Sequence, residues 1–395
     1  MQQQDEKEKR RRCRRRMREE SSVNEFDAKP SSTIPLTTAL VSSELRHELQ
    51  HIWNVARTQD DVAPEAPADE RGAEKAVDVP PFKVGTMEMY RRFPKQYDLL
   101  MRRHDCRAVQ EYLDSLVLSL QQPPPPPASD GEEKCVGAAD AKRDVRVADF
   151  GCGTGRIASM LCRHPAVSAV YCYDSETPML RECLTNVVRS VAEARRETYG
   201  VCICPRATAR VDGNDEDTNV NTLETSAAAV CVGSTGATAQ SPGTMLLCVR
   251  PVSFGDVQSG FLSTHPSCHL VVCAWSLSYV MRAQWGGDRW HAAVDATLAG
   301  LIGLLDTSGA AALVIIETLG TDSIEPRRNN TLPQRLESEY GFEQRWVRTD
   351  YKFRDVAEAV SLTRFFFGES MARRMAEGER TVLPECTGIW TLWRR

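Results

Sequence analysis

The chain has 395 residues, of which 42% are hydrophobic and 7% aromatic, and its formal net charge is −5. That apolar content is enough for a large core, while the absence of any run of about 18 apolar residues argues against a membrane span. Residues 1–80 hold 14 basic and 16 acidic side chains, leaving the remainder at a net −3, a balance that argues against a broad cationic surface for nucleic acid.

The fourteen cysteines are scattered. The closest pair is Cys202 and Cys204, and no CxxC occurs, so neither a zinc site nor a dithiol motif is expected. An apolar segment with a cleavage site is missing near Met1, and the expected setting is cytoplasmic or nuclear, with reduced thiols. Residues 1–80 read as a mostly unstructured extension. Its basic run, Lys7 to Arg18, is flanked by Asp5, Glu6, Glu19 and Glu20, which favours a solvated tail over a nuclear-localisation or RNA-contacting arm. A short helix is expected around Leu45 to Val55.

From about residue 95 the pattern sharpens. Val109, Tyr112, Leu113, Leu116, Val117 and Leu120 lie on one helical face. The polyproline segment "QQPPPPPASDGEEK" then ends the helix and opens an insertion over about 121–140. "VRVADF" predicts a buried strand, "AVSAVYCYD" a second, with helices after each. Residues 200–243, rich in Thr, Ala, Gly and Ser, read as a second insertion. "MLLCVRPV", "HLVVCAW" and "AALVIIE" continue the strands, with a helix opened by Asp288 and another ending at Gly341. "FEQRWVRTD" and "TGIWTLWRR" complete a count of seven, with a helix from about Asp355 between them. Strands alternating with helices mean right-handed crossovers and an α/β domain over 81–395.

The loop in "VADFGCGTGRIASML" belongs at the carboxyl edge of such a sheet, where ligands bind. Gly151, Gly153 and Gly155 allow close backbone approach. A dinucleotide fingerprint would carry its third glycine one residue later, where Arg156 stands. Asp149 would repel a pyrophosphate and suits a cationic ligand, and Asp174 at the second strand end is placed for ribose hydroxyls.

D-x-G-x-G-x-G followed by that acid resembles motif I and its partner in class I S-adenosylmethionine-dependent methyltransferases. "AWSLSY", "IETLGT", "RTDYKF", "RFFFGE" and "LPECTGIW" look like successive blocks of one subgroup of that family, over roughly Tyr97 to Trp393 without the two insertions. The resemblance implies a Rossmann-like, seven-stranded, mostly parallel sheet with helices on both faces and a C-terminal antiparallel hairpin strand. It implies S-adenosyl-L-methionine as cofactor and supplies no acceptor. It also implies that Tyr97 is a cofactor-covering aromatic and that the "AWSLSY" loop faces the transferable methyl. That loop lacks the Asn/Asp-Pro-Pro-Tyr/Phe sequence of amino methyltransferases acting on DNA bases, glutamine side chains and some rRNA adenines.

Methyl transfer from a sulfonium needs alignment and, for some acceptors, a base; no metal is expected, and the seven histidines, His104 and His291 among them, show no ligand spacing. Trp275 reads as a partner for adenine or substrate, or as a core aromatic. Tyr279 and Glu317 are the catalytic candidates: Tyr279 to orient an acceptor, Glu317 as a base or an ammonium contact, with a bond to the following "TLGT" turn as the alternative. Asp350 and Tyr351 could close the pocket or stabilise a turn, and Asp256 and Arg250 are the nearest candidates for an adenine contact after the third strand. The leading expectation is methylation of a small molecule. A protein or RNA methyltransferase and a non-catalytic interaction module are the alternatives.

Overall fold

The computed structural model describes residues 47–49, 51–52, 78–122, 143–194, 200–203, 244–259, 265–284, 289–327 and 331–394. The basic run, the polyproline insertion, most of residues 200–243 and Asp288 lie outside the described residues. Within the expected Leu45–Val55 helix, residues 47–49 and 51–52 are helical, and Leu49 is fully buried.

Helices α1 (Thr86–Arg92), α2 (Pro94–Arg102) and α3 (Arg107–Leu120) lead into the sheet. Val109, Leu113, Leu116, Val117 and Leu120 form the buried face of α3, as their spacing requires. The chain then runs through β1 (Val145–Phe150), α4 (Arg156–Leu161), β2 (Val167–Asp174), α5 (Thr177–Ala194), β3 (Gly200–Ile203), β4 (Thr244–Pro251), α6 (Phe254–Gln258), β5 (Leu270–Ala274), α7 (Leu277–Ala283), α8 (Arg289–Gly303) and β6 (Ala311–Thr321). It closes with α9 (Thr331–Ser338), β7 (Glu343–Arg348), β8 (Tyr351–Lys352), α10 (Val356–Phe367), α11 (Glu369–Glu377), β9 (Val382–Leu383) and β10 (Glu385–Arg394).

The main sheet has eight strands in the order β3-β4-β2-β1-β5-β6-β10-β7. The inner pairs are parallel, and β10 runs antiparallel to both β6 and β7. The expected seven strands are all present. The eighth, β3, corrects the reading of residues 200–243 as pure insertion: Gly200–Ile203 adds a parallel edge to β4. Four residues at the margin of a low-complexity segment are too few to show a strand period. The small pair β8–β9 stands apart as a two-stranded sheet.

Alternation along β1 sorts the two faces. Ala148 and Phe150 join Leu298 and Leu301 of α8 and Leu336 of α9 in one apolar cluster. Val147 and Asp149 point the opposite way, where α4 and α5 pack against β1 and β2. The sheet is thus helix-covered on both sides, and its carboxyl edge carries the glycine loop. At the opposite edge the buried His269 accepts the Arg146 N–H at 2.9 Å and approaches Asp306 at 3.0 Å, joining β1 to β5. Among the described residues no helix is long and apolar enough to cross a membrane.

Candidate functional site

The glycine loop is built by backbone conformation. Gly151, Gly153 and Gly155 have φ of 66°, 54° and 83°, all left-handed, which side chains resist. Space demands glycine as well. A Cβ on Gly151 would stand 2.4 Å from the Cβ of Ser276, and one on Gly155 would stand 2.7 Å from the Cys183 sulfur. Ser276 is itself fixed, its hydroxyl donating to the Phe150 carbonyl at 3.0 Å. The ends of β1 and β5 are therefore pressed together, and Asn186 steadies the loop from α5 by donating to the Thr154 carbonyl at 2.9 Å.

Both motif acids hold this loop in place. Asp149 is fully buried at the end of β1, and its Oδ2 accepts the Ala158 N–H at 3.2 Å. Its Oδ1 is buried with no partner among the described residues. Burial, with Cys183 and Asp174 adding to it, lifts this carboxyl well above the usual range. Asp174 accepts the Gly153 N–H and the Glu176 N–H, each at 2.9 Å. Burial raises it to about 6, against those two amide bonds.

Above the loop lies a cavity of about 610 Å³, lined by Asp149, the glycine loop and Asp174. The β4 end contributes Val252 to Gly255, and the β5 end Ala274 to Ser276 together with Tyr279. Helices α1 and α2 roof it with Met87, Tyr90, Tyr97 and Met101. Tyr90 packs edge-on against Tyr97 at 5.3 Å, and its hydroxyl meets that of Tyr279 at 2.7 Å. Arg91 of α1 donates to Glu176 at 3.0 Å. Burial raises all three tyrosine hydroxyls, so they are neutral donors and acceptors at ordinary pH.

Most of the residues singled out in the sequence converge here: Asp149, Gly151, Gly153, Asp174, Trp275, Tyr97 and Tyr279 line the cavity, and Gly155 closes the turn behind them. Glu317 does not line it. The carboxyl is buried between β6 and α7, where Oε1 accepts the Ser278 N–H at 2.8 Å and caps the first turn of α7. Its bond runs to that helix and not to the "TLGT" turn. Asp256 is likewise occupied, completing a capping box with Ser253 at the start of α6. Asp350 accepts the Glu385 N–H at 3.0 Å, and Tyr351 stacks on His104 with centroids 4.3 Å apart; neither lines the cavity.

The sequence reading missed Tyr90, Met87 and the part played by Arg156. Arg156 follows the last loop glycine, and its guanidinium lies 4.2 Å over the Trp275 ring. Trp275 itself has φ 51°, which turns the chain sharply after β5. Cys152, Cys172 and Cys183 place three buried thiols within 4.8 Å of one another beneath the loop, a grouping their separations along the chain do not announce.

No family model matches the chain, and no curated protein matches it. Among solved structures it is similar to a SAM-dependent methyltransferase from Thiobacillus denitrificans in complex with S-adenosyl-L-homocysteine, with TM-score 0.34 and 12% identity over 79% of this chain and 100% of that one. A SAM-dependent methyltransferase from Geobacter sulfurreducens, in complex with the same nucleoside, gives TM-score 0.30 and 13% identity over 65% and 86%. A precorrin-6y C5,15-methyltransferase from Geobacter metallireducens gives 0.29 and 10% over 70% and 87%. At such TM-scores these similarities carry no weight of their own. The fold rests on the strand order, and the site on its geometry.

Proposed function

We propose that residues 81–395 form an S-adenosylmethionine-dependent methyltransferase domain acting on a small molecule. The observation that carries this reading is the unpartnered Asp149 Oδ1, an acceptor at a cavity floored by three left-handed glycines. A buried carboxyl oxygen without a partner beside a glycine cradle suits an ammonium group, whose charge would restore its ionised form, and opposes a pyrophosphate. When bound, S-adenosylmethionine supplies a sulfonium methyl that is transferred by in-line displacement. Asp149 would hold the ammonium end, Asp174 the ribose, and the β4-end residues Val252 to Phe254 the adenine. Tyr279, hydrogen-bonded to Tyr90, is the polar group best placed to orient an acceptor. Glu317, behind α7, serves as a positioning residue for Tyr279 and not as the base.

The small-molecule reading is supported by the roof: Tyr90 and Tyr97 lie over the cavity, whereas a macromolecular substrate would need that side free. S-adenosylhomocysteine at about 100 times its dissociation constant should raise the melting temperature by roughly 5 °C, and NAD should not. A shift with NAD and none with the nucleoside would overturn the reading. Isotopically labelled methyl donor, incubated with metabolite, protein and RNA fractions, then sorts the acceptors. Label confined to protein or RNA replaces the small molecule, and label in none favours the non-catalytic module.

A further inference from the structure

A cation stands at the cavity with no ion-pair partner among the described residues. Arg156 lines the wall, and one of its terminal nitrogens donates to the Nδ1 of His104 and to the Cys106 sulfur, the latter at 3.4 Å. Its guanidinium also lies over the Trp275 ring. Among the described residues no carboxylate oxygen comes within 4 Å of it. Of the acids nearby, Asp98 is bonded to Arg102 and Asn186, Asp174 to two backbone amides and Glu176 to Arg91, while Asp149 accepts the Ala158 N–H and reaches Arg156 only through its field. Because His104 accepts from Arg156 at Nδ1, its proton sits on Nε2, and the imidazole is neutral. Burial and the Arg156 charge both hold it so.

Two further N–H donors beside the guanidinium lack acceptors: Nε1 of Trp275 and Nε2 of His104 are buried with no partner among the described residues. Among the described residues the guanidinium therefore meets two neutral acceptors, further N–H donors and a π face, with Asp98 and Asp149 acting on it only from beyond bonding distance. A guanidinium keeps its proton at any ordinary pH, and its planar fork matches a carboxylate. The contacts with the Trp275 ring and His104 restrain the guanidinium in advance, so less freedom is lost when the anion arrives.

We propose that Arg156, seated over the Trp275 ring and held by His104, is the carboxylate-binding residue of the cavity. The proposal rests on the methyl-donor reading, and two sources offer the same chemistry: the amino-acid end of the donor, or a carboxylate on the acceptor.

Calorimetry on the full chain and on Arg156→Met and Arg156→Lys, with S-adenosylmethionine and with its decarboxylated form, separates them. If the donor is the source, Arg156→Met weakens S-adenosylmethionine about 10- to 100-fold. Arg156→Lys then recovers part of that loss, and the decarboxylated nucleoside binds all three proteins alike. If the acceptor is the source, the variants bind S-adenosylmethionine normally. In that case benzoate, but not benzamide, raises the melting temperature of the wild-type protein saturated with S-adenosylhomocysteine, and Arg156→Met abolishes that rise. Equal weakening of both nucleosides would mean that Arg156 only packs the wall, and no effect in either arm would also overturn the proposal. Failure of the wild-type protein to bind either nucleoside is a distinct result: it removes the donor reading first, and this proposal with it.

Discussion

Glu317 has a buried carboxyl whose visible partner is a backbone amide, and that placement has a thermodynamic signature. Burial pushes it up to about 7, against the hydrogen bonds from Ser278 that favour the charged form. In the unfolded chain the group titrates near 4.5, so folding takes up a proton between the two values. Its contribution to stability is fully present below about pH 4.5 and is lost as pH rises through 7, a difference of at most about 3 kcal/mol. Glu317→Gln keeps an oxygen for the Ser278 N–H and removes the charge. The variant should therefore be more stable than the wild type at pH 8 and similar to it at pH 4.5, read as urea midpoints. Parallel pH profiles would show that the wild-type carboxyl titrates as an exposed group. Turnover gives an independent readout: a capping Glu317 leaves much of the activity in the Gln variant, whereas a general base would lose it.

The helix α1 shows how little of the site a short element reveals in advance. Seven residues are too few to form a stable helix alone. Its sequence, TMEMYRR, has one buried position, Met89, so no period is visible. Tyr90 and Arg91 acquire their roles only through partners far along the chain, Tyr279 and Glu176. The glycine loop was legible for the opposite reason: its conformational demand is local, and only glycine meets it at Gly151 and Gly155. Arg156 lies between these cases, beside the motif in sequence yet defined by Trp275 and His104 in space. The two contacts of α1 also make a prediction about exchange. Arg91 is 62% exposed, so its pair with Glu176 is worth less than about 1 kcal/mol, and breaking it should barely change global stability. Tyr90→Phe with Arg91→Ala should speed release of S-adenosylhomocysteine several-fold while the melting temperature moves little. Unchanged release in stopped-flow measurements would mean that these contacts do not hold the roof over the ligand.

At the scale of the molecule, the inner strands were readable because each is an apolar run with turn residues at its ends, and their parallel pairing followed from the crossovers. The arrangement of "RTDYKF" and "RFFFGE" over the site was not, since it depends on contacts between distant segments. Tyr351 and Phe353 pack with Leu100 and Met101 of α2, and Phe365 of α10 packs with Val84 and Met89. The Val84 N–H also donates to the Phe365 carbonyl at 3.2 Å. The roof of the cavity is thus held by the C-terminal part of the chain. Phe365, fully buried, should cost about 3–5 kcal/mol when truncated to Ala. Leu336, equally buried but on α9 against the opposite face of the sheet, should cost about 2–5 kcal/mol. If the roof is held as described, the two variants lose comparable stability but only Phe365→Ala weakens S-adenosylhomocysteine, measured well below both melting temperatures. Equal affinities would mean that α1 keeps its place without the C-terminal aromatic cluster. Equal weakening would mean that affinity follows global stability, leaving the roof no separate part in binding.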